Sequence, residues 1–297
     1  MAPSHLISSL FSDLPRISTI EHHATIGSTN DRARELAALG TPEIALVVAD
    51  EQLAGRGRQG RSWYTPPGTA LAFSLLLRPA ITAHQAMRLT MLAGLAAVDG
   101  IEWATGLRLA LKWPNDVVIA FHNRLAAEAA GPSGPLHSQR PALRKIGGIL
   151  TECAFQGDRI EHAVIGIGLN VNVDFSQQIE LRTIATSLMH LAGREIDRWA
   201  VLKAVVAAWL DRYAWLAAES TAGPDSTPAG AHDDRLHAAW AARLINLRRH
   251  IRVQLNDQVL EGYAEGVDRD GALLVRTADN QLRRLLSGDV TLHDLNR

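Results

Sequence analysis

Two apolar runs, IALVVAD (44–50) and TALAFSLLLR (69–78), constrain this chain more than any other feature in it. Each has the length of a buried strand rather than of a buried helix. They are joined by a segment containing GRGRQGRSW (55–63), in which three glycines alternate with three arginines before an aromatic ring. The fold must therefore bury a sheet and hold a flexible cationic loop at its margin.

The flanking segments extend this pattern. ISTIEHHATI (17–26) is rich in β-branched residues and reads as a strand, and GSTN follows it, with Ser28, Thr29 or Asn30 placed to cap a helix over DRARELAAL. From 83 to 105, Met87, Leu89, Leu92, Leu95, Ala96 and Trp103 recur at helical spacing, which predicts a helix covering one sheet face. LALKW, DVVIAF and KIGGILTEC are further strands. Between the last two lies HNRLAAEAAGPSGPLHSQRPALR (122–144), whose composition predicts a mobile surface insertion. IEHAVIGIGLNVNV is another strand, and Trp199, Leu202, Val206, Trp209, Tyr213 and Leu216 form the core-facing stripe of a long helix. A Pro/Gly/Ser-rich linker (220–233) and a short helix precede a C-terminal part with turn signals at Asn256-Asp257, Asp270-Gly271 and Asp279-Asn280, the pattern of a small β-barrel or sandwich. The expected organisation is a tail (1–16), a main domain (17–248) and a C-terminal domain (249–297).

Composition narrows the function classes. With 30 basic and 31 acidic residues among 297, no global field draws the chain to nucleic acid or membrane, so the arginines of 55–63 are a local feature. The single cysteine, Cys153, excludes an internal disulfide and points to a reducing cytoplasm. The first residues have neither a basic start nor a long apolar run, so neither export nor membrane insertion is expected.

Four segments carry chemistry. The glycine-arginine loop is compatible with a solvated loop, an RNA-binding segment or a cover over an anionic ligand. Its place between core strands favours a small polyanion, since arginine presents paired donors and glycine lets the backbone approach closely. KWPND puts Lys112, Asn115 and Asp116 at a turn between apolar strands; the turn explains Pro114, Asn115 and Asp116, but not Lys112 in a buried run. Lys145 opens KIGGILTE, as a strand-edge gatekeeper or as a second phosphate cation. In GIGLNVN, glycines leave room beside a strand, and Asn170 and Asn172 are amides able to read a purine edge, or simply solvent-facing residues of a kinked strand.

Taken in order, Ser28-Thr29-Asn30, GRGRQGRSW, KWPND, KIGGIL and GIGLNVN resemble the biotin protein ligase family, and LEGYAEGVDRDGALL (260–274) is similar to its small C-terminal domain. The resemblance implies an α+β fold: a mixed sheet flanked by helices, like that of class II aminoacyl-tRNA synthetases, with an SH3-like β-barrel after it. It implies an enzyme that joins biotin to ATP, with Mg2+ assisting, and transfers the biotinyl group from biotinyl-5'-AMP to a lysine of the biotin carboxyl carrier protein. Carried over by position, Ser28, Thr29, Asn30, Gln52, Arg56, Gly57, Arg58 and Lys145 would bind biotin. Arg58, Arg61, Lys112, Asn115 and Asn170 would bind the nucleotide, and Lys145, Lys112, Asp116 and Arg58 would carry catalysis, with Asp116 a possible metal ligand. The loop would close over the adenylate and shield it from water.

Some relatives place an N-terminal DNA-binding module ahead of this region; here a short tail stands there, so direct DNA binding is not expected. A homodimer through a sheet edge is compatible with the resemblance. In TIATSLMHLAG no tryptophan stands where some relatives pack one on adenine. Two other functions compete: a lipoate or octanoyl acyl ligase, against which GRGRQGRSW argues, and a nucleic-acid-binding regulator, against which the near-neutral charge argues.

Overall fold

The computed structural model describes residue 7 and residues 9–14, 16–121, 142–221 and 235–292. Seven strands form the first sheet: β1 (Thr19–His23), β2 (Ala45–Ala49), β3 (Leu71–Leu77), β4 (Ala110–Lys112), β5 (Asp116–Phe121), β6 (Ala142–Gln156) and β7 (Arg159–Leu169), in the order β1-β2-β3-β7-β6-β5-β4. Only β1 and β2 are parallel, because a helix, α1 (Thr29–Ala38), returns the chain between them. Every residue of β2 and β3 is buried, as their apolar runs require.

Alternation along these strands divides the core. Ala45, Val47 and Leu76 face α1 through Ala33, Leu36 and Ala37. Leu46, Val48, Phe73 and Leu75 point the other way, into a large cluster with α2 (Ala86–Thr105) and α4 (Arg198–Thr221). Ser74, between Phe73 and Leu75, therefore faces α1. The stripe of α4 is buried as its spacing predicts from Leu202 to Leu216, with Trp199 half-buried. Trp103 of α2 departs from expectation at 81% exposed: it stands in the helix's final turn, where solvent rather than the sheet meets it.

The expected N-terminal tail also departs. Ile7 and Phe11 are buried in the main core, with Leu10 and Leu14 packed against it, and Arg16 donates to the Leu210 carbonyl at 3.2 Å. Positions 7, 10, 11 and 14 are one helical face, too short a signal to stand out beside polar neighbours. Of the expected insertion, 142–144 belong to β6, where Ala142 lies opposite Phe121, and 122–141 lie outside the described residues. Helix α4 takes in the first residues of the expected linker, ending at Thr221, and 222–234 lie outside the described residues.

After α3 (Leu188–Ala192), α4 and α5 (Arg235–Arg243), five strands form an antiparallel sheet. They are β8 (His250–Leu255), β9 (Gln258–Val267), β10 (Leu273–Arg276), β11 (Leu282–Leu285) and β12 (Asp289–Leu292), ordered β11-β10-β9-β8-β12. All three expected turns fall between strands. This sheet packs on the first: Trp113 Nε1 donates to the Gly271 carbonyl at 2.9 Å, and Ile251, Val253, Leu273 and Val290 share the main apolar cluster.

Candidate active site

A cleft of about 1350 Å³ opens over the first sheet, and the segments singled out in the sequence converge on it. At one end, the β1–α1 connection brings Ser28, Thr29 and Asn30 to the first turn of α1. All three are nearly buried. Gln52, in the segment after β2, accepts from the Thr29 backbone N–H (2.8 Å) and from Thr29 Oγ1 (3.0 Å) through its Oε1, which leaves the Nε2 end as a donor. Asn30 turns its amide into the wall, where Nδ2 donates to Glu152 Oε2 at 2.6 Å and Oδ1 accepts from Ser74 Oγ at 2.6 Å.

At the other end stands a charged group. The β4–β5 hairpin presents Lys112 and Asp116, and β6 presents Lys145. Lys145 Nζ lies 2.5 Å from Asp116 Oδ1, and Lys112 Nζ lies 3.9 Å from Asp116 Oδ2, so one carboxylate faces two ammonium groups. Burial holds the Lys112 pKa below its usual value, against the opposing pull of Asp116. This cation is stored in a poorly solvated place, which a polyanionic ligand would relieve. Arg58 reaches Asn115 Oδ1 at 3.4 Å, and burial lowers its pKa too. Asn115 Nδ2 donates to the Ile149 carbonyl at 2.7 Å.

The glycine-arginine loop folds on itself between these ends. Gly57 N–H donates to the Arg61 carbonyl (2.7 Å) and Trp63 N–H to the Gly55 carbonyl (2.9 Å), with a short 3-10 turn at Arg58–Gly60. Arg56 makes a two-pronged pair with Asp31 of α1, and its guanidinium lowers the Asp31 pKa. Arg61 pairs with Asp289 of β12 at 2.5 Å. Of the three arginines, Arg58 is the one hydrogen-bonded to the KWPND turn, at Asn115 Oδ1.

Glycines in β7 make the floor. A Cβ at Gly168 would lie 2.4 Å from Trp63 Nε1, and one at Gly166 would lie 2.2 Å from Asn30 Oδ1. The strand thus gives up two side chains so that an indole and an amide can lie on it. Trp63 in turn lies 5.4 Å from Lys145 Nζ, ring centroid to ammonium, while its own Nε1 is buried without a hydrogen-bond partner.

Comparisons with known proteins place the chain in a family. Residues 24–170 match the Biotin/lipoate A/B protein ligase family, and residues 249–292 match the Biotin protein ligase C terminal domain. The Bifunctional ligase/repressor BirA of Bacillus subtilis (strain 168) is 35% identical over 274 residues, which is 91% of this chain and 73% of that protein. A ligase of Paracoccus denitrificans named for biotin and acetyl-CoA-carboxylase is 32% identical over 257 residues, covering 85% of this chain and 92% of its own length. The chain belongs to the biotin protein ligase family. Its fold is also that of the biotin protein ligase from Aquifex aeolicus in complex with biotin and ATP, at a TM-score of 0.69 and 23% identity, covering 94% of this chain and 100% of the other.

Within this family member, Ser28, Thr29, Asn30, Gln52, Arg56, Gly57, Arg58, Arg61, Lys112, Asn115, Asp116, Lys145 and Asn170 all line the one cleft. Two amides read differently from expectation. Asn170 is 3% exposed, with Nδ2 directed at the carbonyls of Thr186 (3.2 Å) and Lys145 (3.4 Å). Asn172 exchanges two hydrogen bonds with the Ile196 backbone, which leaves neither end to read a base. Three contributors escaped the sequence reading: Trp63 as a ring beside Lys145, Asp289 from the second sheet, and Ile184, whose backbone binds that of Lys145 while its side chain is 61% exposed at the cleft. Trp63 had a visible signal, closing the GRGRQGRSW segment. Ile184 lies in TIATSLMHLAG, the segment already marked for adenine packing, but Asp289 had no signal, since only the packing brings it there.

Proposed function

We infer that this chain joins biotin to ATP, forming biotinyl-5'-AMP and pyrophosphate, and then transfers the biotinyl group to a lysine of the biotin carboxyl carrier protein of biotin-dependent carboxylases. Family membership supports the reaction. The observation that carries its assignment to this cleft is the pairing of a neutral, hydrogen-bonding end at Thr29 and Gln52 with a cationic end at Lys112 and Lys145. Biotin offers a polar uncharged head and a carboxylate; ATP offers phosphates.

The roles follow from charge. In the first step a carboxylate oxygen attacks the α-phosphorus, two anions meet, and pyrophosphate leaves with the bonding pair; Lys145 lies between them and offsets the repulsion. Lys112 and Arg58 hold the phosphates, and Asn115 fixes Arg58. In the second step the carrier amine attacks the acyl carbon and AMP departs, so the amine must lose a proton, which Asp116 accepts. Thr29, Gln52 and Ser28 hold the head of biotin, and exposed Ile184 and Ile179 offer an apolar face to the base. Arg56 and Arg61 join the ligand by exchanging their present carboxylate partners for phosphate.

Magnesium enters with the triphosphate in this reading. Among the described residues no group of three or more His, Cys, Asp or Glu is gathered to hold a metal, and both oxygens of Asp116 face lysine amines. That donor set fits an ion pair rather than a divalent cation. Among the described residues no helix is long and apolar enough to cross a membrane. The cytoplasm is the compartment we assign, on the lone Cys153 and the need for ATP. The deciding experiment is mass spectrometry of a carrier domain incubated with this protein, biotin, ATP and magnesium. One biotinyl addition at one lysine is the expected result; an unmodified carrier, or one acylated only when lipoate or octanoate is supplied, would refute it.

A further inference from the structure

Behind the cleft wall assigned to biotin runs a continuous polar chain. Ser74, wholly buried in β3, shares its single proton between Asn30 Oδ1 (2.6 Å) and Thr29 Oγ1 (2.7 Å). Thr29 Oγ1 donates in turn to Gln52 Oε1 at 3.0 Å. At the far end, Asn30 Nδ2 donates to Glu152 Oε2 at 2.6 Å, and to the Leu150 carbonyl at 3.5 Å.

The direction of this chain is set at Glu152. A carboxylate accepts and does not donate, so it selects the NH2 end of the Asn30 amide. The carbonyl end is thereby turned to Ser74 and accepts one branch of its hydroxyl hydrogen bond, the other branch going to Thr29 Oγ1. Because it accepts from Ser74, the Thr29 hydroxyl directs its own proton to Gln52 Oε1. Neither Ser74 nor Glu152 lines the cleft, whereas Thr29 and Gln52 do. Room for the amide is made by Gly166, where any Cβ would collide with Asn30 Oδ1 at 2.2 Å. A buried polar network pays off only when every member is satisfied, and a serine inside the otherwise apolar LAFSLLL strand is costly without one.

We propose that Glu152 and Ser74 are positioning residues for biotin: acting through Asn30, they fix the place and the donor-acceptor polarity of the Thr29–Gln52 wall that meets the biotin head. The proposal rests on the biotin-ligase reading. It concerns binding of one substrate and leaves ATP and the chemical steps untouched.

The test combines calorimetry of biotin binding with steady-state kinetics on the full chain. Glu152→Leu raises the biotin Kd and KM about ten-fold or more, the loss of one buried hydrogen bond with its partner left unpaired, while kcat at saturating biotin and the KM for ATP stay put. Glu152→Gln binds biotin nearly as the wild type does, because its carbonyl oxygen still accepts from Asn30. Asn30→Asp alone sets carboxylate against carboxylate and weakens biotin binding. Adding Glu152→Gln to it restores affinity, since the glutamine amide now donates to the new aspartate. Should Glu152→Leu fail to fold, the glutamine variant and the paired exchange still decide, as each preserves a bonded pair. The proposal is overturned if Glu152→Leu binds biotin like the wild type, or if the double variant is no better than Asn30→Asp. A wild-type protein that binds no biotin overturns the functional reading itself, a result the variants cannot mimic.

Discussion

A carboxylate shared by two lysines is the decisive arrangement at the scale of single residues, because the proposed reaction gives separate parts to groups that lie within 4 Å of one another. In that proposal Lys145 is the cation beside the reacting carboxylate and α-phosphate, and its removal takes away an electrostatic contribution specific to the first step. Lys145→Ala is expected to slow adenylate formation by several powers of ten, on the order of a few kcal/mol. Asp116→Asn should slow transfer more than adenylation, since the carrier amine, with an ordinary pKa of about 10.4, must shed a proton near neutral pH. Synthetic biotinyl-AMP bypasses the first step and tells the two apart: it should restore carrier biotinylation to the Lys145 variant far better than to the Asp116 variant. Equal rescue of both would end this division of roles. That Lys112 stands at the cleft was legible from a lysine inside an apolar run. That Asp116 stands between Lys112 and Lys145 was not, since the three come from two separate strand pairs.

Two elements lend themselves to direct tests. The loop 55–63 has its own backbone hydrogen bonds, yet an isolated two-stranded turn of this size is marginal in water. Its arginines are engaged by Asp31 and Asp289, pairs with exposed partners and hence of small worth. Amide hydrogen exchange across 57–62 should therefore be fast without ligand and slow by at least about ten-fold with biotinyl-AMP, as phosphate contacts offset the ordering entropy. Unchanged protection would remove the lid role. The second element is the β5–β6 pair, whose register runs to Phe121 opposite Ala142. Because those two residues are already paired, replacing 122–141 by Asn-Gly closes a two-residue hairpin without stretching either strand. The variant should melt within a few degrees of the wild type and keep its ligation rate. A raised KM for the carrier, with adenylation unchanged, would instead place carrier docking in the deleted segment.

At the scale of the whole molecule, the second sheet is part of the enzyme's core and of its cleft. Trp113, at the heart of KWPND, is fully buried and is bonded to the Gly271 carbonyl and, through its backbone N–H, to Asn246 Oδ1. Asp289 meets Arg61 of the loop. A continuous apolar cluster runs from α2 and α4 into β8, β9, β10 and β12, so the two sheets should unfold as one unit. Differential scanning calorimetry is expected to show a single transition with equal calorimetric and van't Hoff enthalpies. Two resolved transitions would mean that the contact between the sheets is weaker than its burial implies.

Local patterns determined most of the elements and the family: strand-length apolar runs, the α4 stripe, the three turns of the second sheet, and five short motifs whose order along the chain is characteristic. These are legible because backbone period and turn chemistry act over a few residues. The same locality explains where the reading stopped. Ile7 and Phe11 become core only by packing into the main apolar cluster, and Trp103 is exposed although Ile101 and Ala104 in the same turn pack on that cluster. Asn172 serves the backbone at Ile196, a partner 24 residues away. The polar chain from Glu152 to Gln52 is the clearest case. Its members lie on α1, β3, β6 and the segment after β2, and the direction of each hydrogen bond depends on the next. Such a sequence of donors and acceptors exists only once tertiary packing has set those four segments side by side.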